Sequence, residues 1–219
     1  MIRTLLSTAA GLALSSAAWA WPGFDYELTI TNITAGQTFT PQLVVTHPNA
    51  ARVFKLGEPA GAALEILAEG GDTHPLATAL APVATDITTI DGLLGPGESA
   101  SVVISGRVRD VVSLAAMLIP TNDTFVALDA APLPRWGQTL ERMVPAYDAG
   151  TEANDQDCAS IPGPVCGGEG HSPGPNDGDE GFVHISDGFH SLGEGDGILA
   201  PAQYDWRNPV ARITVKRMR

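Results

Sequence analysis

Oxygen ligands crowd into two short stretches of this chain. Asn122-Asp123 opens the first, with Asp129 just downstream, and residues 148–157 supply Asp148, Glu152, Asn154, Asp155 and Asp157. Carboxylates and amides at this density suit a hard cation: calcium takes roughly six to eight oxygens at about 2.3–2.6 Å from side chains, carbonyls and water. Asp123, Asp129, Asp148, Glu152, Asn154, Asp155 and Asp157 all stand as candidate metal ligands. The pattern is not an EF-hand, since the D-x-D-x-D-G spacing with a terminal Glu is absent. The plain alternative is a solvated acidic turn that holds no ion.

Two loops meet only if the elements feeding them end at one place. Residues 117–157 supply an apolar run ending at Pro120, an acidic turn, a second apolar run and a second acidic turn. Two buried strands running into these turns would gather their oxygens at one end of a sandwich. Residues 26–32, 99–105 and 211–216 alternate apolar and polar side chains, the period of a half-buried strand. Residues 42–46, 52–56, 86–90 and 125–128 read as further strands, and 111–119 is apolar almost throughout, as for a strand covered on both faces. Residues 62–69 form the one expected helix, closed by Gly70-Gly71. Residues 151–181, rich in Gly, Pro and Asp, read as a long irregular loop. Seven to nine strands and one short helix indicate an all-β fold, an antiparallel β-sandwich.

The chain has 219 residues, 12 of them Lys or Arg and 25 Asp or Glu, for a net charge of −13. Such a balance repels phosphate backbones and anionic lipid, so a nucleic-acid partner is not expected. Residues 1–20 read as a signal peptide: Arg3, an apolar run over 5–18, and the small-residue pattern Ala18-Trp19-Ala20. That run is shorter than the roughly 20 residues a membrane span needs, and no later stretch is long enough. An exported product, periplasmic or secreted to the cell surface, is expected, with residues 21–219 as one domain. In an exported chain the close pair Cys158 and Cys166 is most simply a disulfide tying down the long loop.

Other chemistries are weaker. His171, His184 and His190 could hold copper or zinc, the alternative function being a histidine-based transition-metal protein or metal-dependent enzyme, but their spacing matches no standard ligand motif. Trp136, Trp206, Phe182 and Phe189 read as core residues or loop plugs. No G-x-S-x-G elbow occurs, no acid and base are marked by separated environments, and the glycine-rich stretch is too acidic to cradle phosphate. No catalytic residue or organic cofactor is assigned.

PTNDTFVALDAAPL at 120–133, PAYDAGTEAND at 145–155 and NPVARITVKR at 208–217 resemble the spondin N domain found in F-spondin and mindin. The resemblance rests on a Pro-x-x-Asp-x-Phe turn, a Tyr-Asp-Ala-Gly-Thr turn and a closing strand. It implies a sandwich similar in topology to C2 domains, a calcium ion at one end, and a non-enzymatic adhesion or binding role toward an extracellular protein or glycan. Asp123 and Asp148 fall on the family's acidic turn positions, Asp129 and Glu152 on neighbouring acidic ones. Thr124 stands where the family has tryptophan, and the insertion bearing Cys158 and Cys166 is this chain's own. The type implied is a stand-alone bacterial spondin-domain protein.

Overall fold

The computed structural model describes residues 23–175, 177–188 and 199–219. The expected leader, Phe189 and His190 lie outside them.

Two antiparallel sheets face each other. The first is formed by β1 (Phe24–Asn32), β5 (Ser99–Gly106), β8 (Thr139–Val144) and β11 (Ala211–Arg217), in the order β5-β1-β11-β8. The strand after the long loop therefore lies between β1 and β8. The second sheet contains β3 (Gln42–Pro48), β4 (Asp86–Ile90), β6 (Asp110–Ile119), β7 (Thr124–Pro132), β9 (Ala146–Asp148) and β10 (His184–Ile185), in the order β10-β9-β7-β6-β3-β4. A two-residue strand, β2 (Thr38–Phe39), also pairs with β6.

All ten residues of β6 are buried, because both of its faces are covered. Val112, Leu114, Ala116 and Leu118 meet Leu28, Ile30, Ile213 and Val215 between the sheets. On the other face Ala115, with Leu43, Val45 and Phe125, packs under α1 (Ala62–Gly70) and α2 (His74–Leu80) through Leu64, Leu67 and Leu76. The architecture is a β-sandwich with a helical layer over one sheet.

The expected helix over 62–69 forms and ends at Gly71, which is left-handed (φ 71°) and donates its N–H to the Leu67 carbonyl. Two helical segments go beyond the single one expected. In α2 the Asp72 carboxylate accepts the His74 N–H (2.9 Å) and Pro75 occupies the first turn, a start signal hidden by the polar Thr73-His74 pair. The other is a short turn, α3 (Pro201–Tyr204). The strand expected over 52–56 does not form. The Asp129 side chain takes the Val53 N–H (3.0 Å) and faces Arg52 Nε (3.5 Å), so side-chain bonds replace a ladder there. Trp206 is buried as expected, but Trp136 is 56% exposed on a turn, sharing the Arg217 guanidinium with Phe24, and Phe182 is also exposed.

Phe125 is fully buried and meets Phe54 edge-on (5.3 Å) and Tyr147 at a tilt (5.7 Å), closing the outer core beside the acidic turns. Phe125→Ala is expected to lower unfolding stability by about 3–5 kcal/mol. The half-exposed β5 residue Val103 provides the control, with a change within about 0.5 kcal/mol for Val103→Ala. Chemical denaturation measures both, and equal losses would contradict this packing.

Candidate metal centre

Asp123 is the last residue before β7 and Asp148 the last of β9. These strands pair with Thr124 opposite Asp148, so the two carboxylates arrive at the same end of the sheet. The backbone then turns inward: the Asp123 carbonyl accepts the Ala149 N–H (3.2 Å), and Asp123 Oδ2 accepts the N–H groups of Thr151 (2.7 Å) and Glu152 (3.1 Å) and the Thr151 hydroxyl (3.3 Å). Asp123 is wholly buried, yet among the described residues its Oδ1 has no hydrogen-bond partner.

Asp148 Oδ1 accepts the Gly150 N–H (2.9 Å) and Oδ2 accepts the Asn154 amide (2.9 Å). The short local sequence explains this turn. Asp148 bonds the backbone two residues on, Ala149 is small enough to be fully buried, and Gly150 takes φ 66° where a Cβ would lie 2.4 Å from the Phe182 carbonyl oxygen. From the far side His184 Nε2 approaches Asp148 Oδ1 (3.3 Å), and Glu180 Oε1 accepts the Asn154 amide (3.1 Å). Single donor atoms of Asp148, Glu180 and His184 lie within 4.8 Å of one another.

Charge here is poorly compensated. Burial, reinforced by the neighbouring Asp148 charge, holds the Asp123 carboxyl well above its ordinary range despite the opposing Thr151 and Glu152 N–H groups. Asp148 is raised by burial as well, opposed by the Asn154 amide, the His184 ring and the Gly150 N–H. Burial pushes Glu152 to about 7 against the Ser172 hydroxyl bond, with Glu69 and Asp155 adding repulsion. Among the described residues no lysine or arginine forms an ion pair with any of the three. A divalent cation would supply the missing positive charge, and the orphaned Asp123 Oδ1 is an open ligand for it.

Of the four expected ligands, Asp123 and Asp148 stand at adjoining strand ends, while the donor atoms grouped within 4.8 Å are those of Asp148, Glu180 and His184. Glu152 joins them through its backbone N–H only: its carboxylate turns toward the long loop and accepts the Ser172 hydroxyl (2.5 Å). Asp129 does not join them. It lies six residues along from Asp123 in β7, held by Arg52 and Val53, so its position in the chain suggested a proximity that the extended strand removes. Asp155 and Asp157 serve turns instead, accepting the N–H groups of Asp157 (2.9 Å) and Ala159 (3.0 Å) respectively. His171 and His184 do not share a site. His171 Nδ1 sits 2.8 Å from Glu69 Oε2, while His184 faces Asp148. Glu180 was missed because it is one acid among many in a glycine-rich stretch with no spacing signal. His184 was expected beside His171 and His190 as a transition-metal ligand, and its pairing opposite Asp148 in β10 places it at this acidic turn instead.

A family model described as Spondin_N matches residues 22–157, a span that contains Asp123, Asp148 and both acidic turns and stops just before Cys158. No curated protein matches the chain. Among the described residues no helix is long and apolar enough to cross a membrane. With more than half of its 219 residues matched, and with the two turns brought together on an antiparallel sandwich, the chain belongs to the spondin N-terminal domain family, an extracellular and non-catalytic type of domain.

Proposed function

We propose that this chain is an exported, non-enzymatic binding module whose recognition loops are set by a calcium ion held at Asp123 and Asp148, with Glu180 completing the carboxylate set. The observation carrying this reading is the buried Asp123 Oδ1, unpartnered among the described residues, beside a second buried carboxylate, with no described lysine or arginine paired to either. Calcium would neutralise that charge and tie the 121–124 turn, the 148–154 turn and the 180–184 segment into one rigid rim. A rigid rim is what an extracellular protein or glycan partner could read without paying to order loops on contact. The donors are mainly oxygen, as a hard cation prefers. The His184 imidazole favours a second reading, a borderline transition ion at the same place; elemental analysis of the purified chain and of its His184→Ala variant decides between them.

Calorimetric titration of chelator-treated protein is expected to show uptake of one calcium ion, reduced at least about tenfold by Asp123→Asn or Asp148→Asn. Asp129→Asn should leave uptake unchanged, since Asp129 pairs elsewhere. Calcium uptake indifferent to both site substitutions would overturn the assignment.

A pH dependence follows from the raised carboxyls. Each binds its proton more tightly in the folded chain than in the unfolded one. Without metal, their stabilising contribution is therefore full below the ordinary carboxylate range and is lost as pH rises through the raised values, up to about 7 for Glu152. In chelator, stability should fall by roughly 1–2 kcal/mol between pH 4.5 and 7.5, and saturating calcium should flatten that fall by replacing protons. Thermal melts across this range measure both arms, and parallel curves with and without calcium would contradict the account.

A further inference from the structure

A second ligand cluster forms where the disulfide-closed loop lies against the helical layer. Glu65 and Glu69 are four residues apart on α1, so they share one face of the helix. The loop meets that face closely. Cys158 is bonded to Cys166, and a Cβ added at Gly70 would lie 2.2 Å from the Gly170 carbonyl oxygen, so only glycine permits this approach. The residues that follow bind the two glutamates. His171 Nδ1 lies 2.8 Å from Glu69 Oε2, the Ser172 N–H donates to the same oxygen (2.9 Å), and the Gly174 N–H donates to Glu65 Oε1 (3.2 Å). One donor atom each from Glu65, Glu69 and His171 fits within 4.8 Å.

Glu69 is the informative member. Its side chain is 0% exposed, no lysine or arginine among the described residues pairs with it, and its Oε1 is buried with no hydrogen-bond partner. A carboxylate kept from water and only half bonded is expensive to maintain unless a positive group completes it. His171 is 30% exposed and Glu65 half-buried, so a small ion has a way in from solvent. One imidazole and two carboxylates form a set suited to zinc and similar ions, which accept mixed nitrogen and oxygen ligands and leave positions for water.

We propose that Glu65, Glu69 and His171 form a second cation site, selective for zinc-like borderline divalent ions, that clips the disulfide loop onto α1. The site is separate from the one at Asp123 and does not depend on what that one binds. The two are bridged through Glu152, whose carboxylate accepts the Ser172 hydroxyl while its N–H donates to Asp123 Oδ2.

Zinc chloride titrated into the chelator-treated full chain, in the presence of excess calcium, tests this. Zinc uptake is expected to persist in calcium and to weaken at least tenfold in His171→Ala and in Glu65→Gln, both partly exposed positions that leave the core intact. Asp123→Asn and His184→Ala should leave that uptake unchanged while altering the first site, so the two assignments fail separately. Hydrogen exchange supplies a second readout: zinc should slow exchange over residues 168–174 in the natural chain and not in His171→Ala. No zinc uptake, uptake unaffected by His171→Ala and Glu65→Gln, or uptake abolished by His184→Ala instead would each overturn the proposal.

Discussion

The constraint on which this structure turns is a single carboxylate. Asp123 is fully buried at the end of a strand, one oxygen saturated by backbone N–H groups and the other left without a partner among the described residues. A buried anion is tolerated only when something positive or a set of donors completes it, and here the adjoining side chain is a second buried carboxylate. The turns around it consist largely of groups arranged to hold these two acids in place: the Thr151 and Glu152 N–H groups, the Gly150 turn, and the Asn154 amide shared with Glu180.

The sandwich makes that arrangement possible. β6 is buried on both faces and gives β7 a fixed track, so that β7 and β9 end together and deliver Asp123 and Asp148 side by side. Phe54, Phe125 and Tyr147 close the apolar layer directly beside the turns. The helices over the second sheet do more than cover Leu43 and Val45. One face of α1 carries Glu65 and Glu69 to the disulfide loop, so two carboxylate-rich centres lie on one connected surface, joined through Glu152 and Ser172.

Much of this was legible in the sequence because the physics is local. Period-two alternation marked β1, β5 and β11, the unbroken apolar run marked β6, and Gly70-Gly71 marked the end of α1. The pairing of Asp123 with Asp148 could be anticipated because each sits just where an apolar run stops. Asp129 was misjudged since nearness along the chain ignores the rise of a strand, which carries it six residues from Asp123 toward Arg52. Glu69 ends the helix expected over 62–69 and carries no spacing signal of its own. Its burial arises only when a loop about a hundred residues downstream folds over it, and no periodicity carries that information. Glu180 was hidden for the same reason, reaching the Asp148 turn by way of a glycine-rich segment, and the partner of His184 is set by the long-range pairing of β10 with β9.

Calcium binding at this end of the sandwich turns on what occupies the space in front of Asp123 Oδ1. A crystal structure of the protein grown in calcium, with anomalous scattering used to identify the ion, measures it. The account predicts a calcium peak within about 2.3–2.6 Å of Asp123 Oδ1 and of an Asp148 oxygen. A protonated Asp123 bonded only to protein or water, with calcium absent from that end of the sandwich, would contradict it.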